Sequence, residues 1–66
     1  MQITLNGNEH AAPDDCSVAE LVGRVSERTS GIAVAVNGEV VPRGSWSATV
    51  LAAGDRVELV TAVQGG

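Results

Sequence analysis

From Met1 to Asn6 apolar and polar residues alternate, with Met1, Ile3 and Leu5 on one side and Gln2, Thr4 and Asn6 on the other. This two-residue period predicts a half-buried strand. Asn6-Gly7 suits a tight hairpin turn, so Asn8 to Ala12 is expected to return as a second strand that Pro13 closes. The period then changes. Ser17-Val18-Ala19-Glu20 has the spacing of a capping box, and Val18, Leu21, Val22 and Val25 fall at i, i+3, i+4 and i+7 on one helical stripe. Glu20, Arg24, Glu27 and Arg28 take the wet side, and Gly31 is placed to end the helix in a left-handed conformation.

Ile32 to Val36 predicts a third strand, with large residues on one face and Ala33 and Ala35 on the other. Asn37-Gly38 is a second hairpin signal, and Glu39-Val40-Val41 returns before Pro42. Gly44 to Ala53 reads as a longer connection carrying Trp46, Val50 and Leu51. After the Gly54-Asp55 turn, Arg56 to Val63 is the last strand, with Val57, Leu59, Thr61 and Val63 on one face and Arg56, Glu58, Val60 and Ala62 on the other. Strands on both sides of one helix indicate an α+β fold in a single domain over residues 1–66, the helix lying across a mixed sheet. Residues 64–66 read as a flexible C-terminal tail.

Composition narrows the chemistry. A chain of 66 residues builds one small core and no deep cleft. Its net charge is −4, and its four basic residues, Arg24, Arg28, Arg43 and Arg56, are scattered, which argues against a nucleic-acid partner. The absence of lysine excludes Schiff-base chemistry and any internal lysine acceptor. No apolar run has membrane-spanning length and no signal peptide is apparent, so a cytoplasmic protein without a membrane partner is expected. Cys16 and His10 alone fall short of the usual four ligands of a structural zinc site, so no metal is expected.

No internal residue stands out as a catalyst. Cys16 precedes the presumed helix cap and reads as a packing residue against Leu21, since two aspartates before it offer no activating positive charge. Asp14 and Asp15 read as helix-dipole partners and His10 as a surface residue of the second strand. Trp46, the only aromatic, reads as a lid on the core edge whose indole N–H reaches a backbone carbonyl, with a partner-contact anchor as the alternative. Val60 and Ala62, alongside Ala33 and Ala35, place apolar surface on the face that the helix does not cover, a candidate partner surface leading toward the tail.

The chain closes on Gly65-Gly66. Two residues without a β-carbon pass a narrow channel and adopt angles that others resist, which suits a terminus whose α-carboxylate is the reacting group. A glycine carboxylate is inert until activated, and adenylation would supply the activation. With eight glycines in the chain, an ordinary frayed end gives the same pair.

The order ββαβββ, running from its last strand into Gly-Gly, resembles the β-grasp fold of ubiquitin and the prokaryotic sulfur carriers. Three stretches carry a closer resemblance: Ala35-Val36-Asn37-Gly38-Glu39-Val40-Val41-Pro42-Arg43 with Trp46, Gly54-Asp55-Arg56-Val57-Glu58-Leu59-Val60, and Thr61-Ala62-Val63-Gln64-Gly65-Gly66. With a helix opening on Val18-Ala19-Glu20-Leu21, they are similar to the sulfur carrier family of thiamine biosynthesis, ThiS. The resemblance implies a protein co-substrate that is not an enzyme and binds no cofactor. An E1-like adenylyltransferase would use ATP and Mg to adenylate Gly66. Sulfur from a cysteine desulfurase would convert the adenylate to a thiocarboxylate, and thiazole synthase would receive the sulfur. Gly65 would then be the narrow approach and Gln64 the adjoining tail residue.

Two other readings share parts of this pattern. The small subunit of molybdopterin synthase has the same fold and terminal chemistry, but tends to carry proline before its final Val-x-Gly-Gly, where this chain has Thr61-Ala62-Val63. A ubiquitin-like protein modifier, or an interaction module with an inert terminus, belongs to a different class. Gly23, inside the helix at a cost of about 1 kcal/mol against alanine, has no functional account in any of them.

Overall fold

The computed structural model describes residues 1–26 and 31–61. Within them the expected elements form as β1 (Gln2–Leu5), β2 (Asn8–Ala11), α1 (Val18–Val25), β3 (Ile32–Val36), β4 (Glu39–Val41) and β5 (Arg56–Thr61). The five strands make one sheet in the order β2-β1-β5-β3-β4. The two hairpins are antiparallel, β5 enters between them, and it runs parallel to β1 and antiparallel to β3.

Alternation along the strands decides what the sheet buries. Ile3, Val34 and Val57 face inward from three neighbouring strands and meet Val18, Leu21 and Val22 of α1, all at most 2% exposed. At about 25 cal/mol per Å² of apolar area, burial of such side chains contributes roughly 1.5–3 kcal/mol each, the main favourable term in so small a domain. The helix begins as its sequence dictates. Ser17 Oγ accepts the Glu20 N–H at 3.1 Å, and the Ser17 N–H donates to Glu20 Oε1 at 3.4 Å, a capping box that satisfies two amides without an intrahelical partner.

Its end differs from expectation. The Ser26 N–H closes the last turn on Val22 O at 2.9 Å, Ser26 itself is extended, and α1 stops at Val25. Gly31 does take the left-handed φ of +73°, but at the entry to β3 and not as the helix cap. Val25, on the apolar stripe by spacing, is consequently 37% exposed at the helix end. The expected wet-side positions Glu27 and Arg28 lie outside the described residues, as does the expected end of the last strand at Ala62 and Val63.

The connection from β4 to β5 contains a 3-10 helix, Arg43–Ala48, in a stretch whose Gly and Ser content and lack of periodicity gave no signal for it. Trp46 sits in this helix, 6% exposed, and its indole N–H donates to Val41 O at 2.9 Å, with the Arg43 guanidinium 5.8 Å from its ring centre. The expected lid is therefore present, and the cation adds attraction to the ring face. Two backbone bonds, Val18 N–H to Thr49 O at 2.9 Å and Leu51 N–H to Cys16 O at 2.8 Å, stitch the following residues to the start of α1 and bury Leu51.

Both hairpins turn on Asn-Gly. Asn6 and Gly7 have φ of +49° and +83°, and Asn37 and Gly38 have +52° and +85°, the left-handed pair of a type I′ turn. Each asparagine also reaches β5. Asn6 Oδ1 accepts the Leu59 N–H at 2.8 Å, and Asn37 Oδ1 accepts the Arg56 N–H at 3.0 Å while its amide donates to Asp55 Oδ1 at 3.1 Å. The turn swings the asparagine's own carbonyl out of the ladder, and the carboxamide oxygen takes its place.

Gly23 lies on the exposed side of α1, and a β-carbon built there meets nothing within 4 Å. Replacing it with alanine should therefore raise stability by about 1 kcal/mol. Loss of the cap in Ser17→Ala should lower stability by about 1 kcal/mol. Urea unfolding followed by circular dichroism reads both, and a destabilising Gly23→Ala would mean that this helix face is covered.

Candidate functional site

The residues expected to carry the chemistry, Gln64, Gly65 and Gly66, lie outside the described residues, as does Ala62 of the expected partner surface. What is described is the platform that leads to them. β5 is the central strand, hydrogen-bonded on both sides, and the chain continues from its last residue, Thr61, toward the terminus.

The face of the sheet opposite α1 brings the other candidates together. Ala33 stands opposite Val60 in the β3–β5 register, and Ala35 stands opposite both Glu58 of β5 and Val40 of β4. Directly opposed residues share a face, so these five side chains form one patch. Val60 is 62% and Val40 73% exposed. The alanines between them leave a shallow depression of about 160 Å³, lined by Ala33, Val34, Ala35, Val40, Glu58 and Val60. One carboxylate, Glu58, interrupts an otherwise apolar floor. A partner covering this patch would match it with an apolar surface and one basic or hydrogen-bonding group.

Val40 and Glu58 were not among the expected surface residues. Val40 was within reach of sequence reasoning, because a two-residue turn at Asn37-Gly38 sets Val36 opposite Glu39 and hence Ala35 opposite Val40. Alternation along β5 already put Glu58 on the Val60 face, but its place beside Ala35 required the β3–β5 register, which no local turn specifies.

The remaining candidates are structural. Cys16 is 1% exposed and its thiol lies 3.4 Å from Ser17 O. Burial pushes its pKa up, Glu20 pushes it further, and Arg24 opposes them, so the thiol stays protonated at neutral pH. The aspartates do not serve the helix as expected: Asp14 Oδ1 lies 3.3 Å from the Met1 amino group, Asp15 takes a left-handed turn conformation with φ of +61°, and Glu20 is the acid in the first helical turn. His10 stands opposite Ile3 and is half-buried on that side of the sheet, not on the open face. Among the described residues no group of three or more His, Cys, Asp or Glu side chains could hold a metal ion.

A mixed five-stranded sheet with a parallel central pair, crossed on one face by a single helix, defines the class: a ubiquitin-like β-grasp protein. The profile of the ThiS family matches residues 2–66. The chain is 32% identical to the sulfur carrier protein ThiS of Escherichia coli strain K12, over the whole of both. The crystal structure of thiamine biosynthesis protein ThiS from Geobacter metallireducens superposes with a TM-score of 0.84 at 31% identity, again over the whole of both chains. A thiazole synthase of Paramagnetospirillum magneticum strain ATCC 700264 / AMB-1 contains a segment, 20% of its length, that is 30% identical to the whole chain. The chain belongs to the ThiS family, and is a sulfur carrier of thiamine biosynthesis, not a catalyst.

Cys16 gives a pH prediction. Its raised pKa means that the unfolded thiol ionises first, so the stabilising contribution is complete below the ordinary value of 9.0 and is lost as pH rises through the higher folded value. With no Lys or Tyr in the chain, this thiol is the only side chain expected to titrate between about pH 8 and 11. Urea midpoints should fall as pH rises above about 9 in the native protein and stay nearly level in Cys16→Ala. Alkylation by iodoacetamide should be slow in the folded state and fast in urea.

Proposed function

We propose that Gly66 is the sulfur-bearing residue of this carrier. Its carboxylate attacks the α-phosphorus of ATP on an E1-like adenylyltransferase, with Mg held by that enzyme, and pyrophosphate leaves. Sulfur that a cysteine desulfurase has taken from cysteine as a persulfide displaces AMP to give an acyl disulfide. A second thiol then attacks the persulfide-derived disulfide, ending as a disulfide itself and releasing the thiocarboxylate, which donates sulfur to thiazole synthase during assembly of the thiazole ring. The observation that carries this reading is the match to the ThiS family along residues 2–66, tail included. The carrier-like segment in a thiazole synthase supports that enzyme as the receiving partner, since joining two proteins in one chain raises the effective concentration of one for the other.

In this reading Gly65 gives the terminal carboxylate a narrow approach and Gln64 spaces it from the strand. Both partners recognise the open face around Val60, Ala33, Ala35 and Val40. A thiocarboxylate holds sulfur covalently as a nucleophile and avoids free sulfide. The setting is the cytoplasm, where ATP and the three enzymes meet; among the described residues no helix is long and apolar enough to cross a membrane.

Incubation with ATP, the adenylyltransferase, the desulfurase and cysteine should raise the intact mass by the exchange of one oxygen for sulfur, located at Gly66 by fragmentation. Deleting Gly66 or adding a residue after it should abolish the gain, whereas conjugates to other proteins would indicate a modifier instead. Val60→Asp should keep stability within about 1 kcal/mol, as an exposed strand position allows. It should also weaken coupling to at least one partner by roughly tenfold, read as a rise in KM. Rescue of a thiamine auxotroph, set against a molybdenum-cofactor mutant, checks the pathway.

A further inference from the structure

We propose that Asn6 is a positioning residue for the reactive tail, because its carboxamide fixes the point at which β5 ceases to be held on both sides. This rests on the reading of Gly66 as the reacting terminus. Along its β1 edge, β5 is paired through Val57, whose carbonyl accepts the Asn6 N–H at 2.9 Å. There β1 turns away at Asn6-Gly7. The next inward-pointing amide on that edge, Leu59 N–H, is taken by Asn6 Oδ1 at 2.8 Å, 53 residues distant in sequence. Among the described residues this is the last hydrogen bond on the β1 side of β5, two residues before the strand's end at Thr61. The other edge remains paired to β3 through Ile32 and Thr61.

Five residues follow Thr61, an extended reach of about 17 Å. A carrier that docks by its sheet face and inserts its terminus into a pocket binds at two points, and the second is favoured when the unheld span between them is short. Removing the Asn6 bond leaves Leu59 to Thr61 held from the β3 side alone and allows that span to lengthen. The other turn offers a matched control. Asn37 makes the same kind of bond to Arg56 N–H at 3.0 Å, but at the start of β5, away from the tail.

Glycine keeps the left-handed backbone at either turn and removes only the carboxamide, so Asn6→Gly and Asn37→Gly should both fold. Steady-state adenylation by the cognate adenylyltransferase should show KM for the Asn6→Gly carrier raised about two- to tenfold, the weight of one net hydrogen bond, with kcat unchanged. Asn37→Gly, which loses the bond to Asp55 as well and should be destabilised at least as much, should keep the native KM. Asn6→Asp, which retains an acceptor oxygen and tolerates the turn, should restore it. Amide exchange at Leu59 should accelerate in Asn6→Gly and not in Asn37→Gly, which shows independently of any partner that the hold was lost. An unchanged KM in Asn6→Gly, an equal rise in both glycine variants, or a fall in kcat alone would overturn the proposal while leaving the carrier reading intact. Native protein that no adenylyltransferase accepts would remove the carrier reading, and this inference with it.

Discussion

The structure depends on one late pairing, the insertion of β5 between the two hairpins. Each hairpin can form from its own local turn, but a single two-stranded hairpin is marginal in water. Neither presents enough apolar surface to hold α1. Thr4 N–H on Asp55 O and Asn6 N–H on Val57 O, both 2.9 Å, join the first strand to the last, and the β3–β5 register joins the second hairpin to the same strand. Only then do Ile3, Val57 and Val34 stand side by side as the floor on which Val18, Leu21 and Val22 rest. The two asparagine carboxamides extend this junction beyond what backbone pairing reaches, one at each end of β5.

The same junction creates the candidate site. A strand buried on one side by the helix must direct its alternate residues to the other, so seating Val57 and Leu59 inward places Glu58 and Val60 outward. The neighbouring strand contributes Ala33 and Ala35 to that face, and their small side chains leave the depression between Val40 and Val60. The patch is thus a by-product of the core's register, and it reaches Val60, beside the last described residue of β5, Thr61. A one-residue slip of β5 would bury Glu58 and expose Val57, a cost that the fold avoids by anchoring the strand at both ends.

Much of this was legible because it is local. The alternation in Met1 to Asn6 and Ile32 to Val36, the Ser17 capping box and the two Asn-Gly turns each specify their element within a few residues, and all formed. Trp46 was legible for a different reason, since a lone buried indole must find an acceptor, and Val41 O lies five residues away. The Asn6 bond to Leu59 was not legible, because its partner is 53 residues away and the Asn-Gly turn already explains asparagine at that position. Nor was the helix end: Gly31 carries the expected backbone signature, but Ser26 becomes extended and stops the helix first. For the candidate site, local alternation put the alanines on one face of β3 and Glu58 with Val60 on one face of β5, whereas their juxtaposition required a register that only the assembled sheet defines.

A domain of this size has little choice about where to place chemistry. Its core draws on the inward side of β1, β3 and β5 and one stripe of the helix, and among the described residues the buried groups are apolar apart from Ser17, which caps the helix. A preorganised catalytic cleft needs several polar groups held against water by a second layer of side chains, and one helix on one sheet does not provide that layer. The chain terminus escapes this constraint. A reactive terminus, as proposed for Gly66, would need no pocket of its own, since a partner could supply the enclosure and the activating phosphate. For such a carrier the fold would have to provide a recognisable surface and a fixed point of departure, for which the open face around Val60 and β5, held on both sides as far as Leu59, are the candidates.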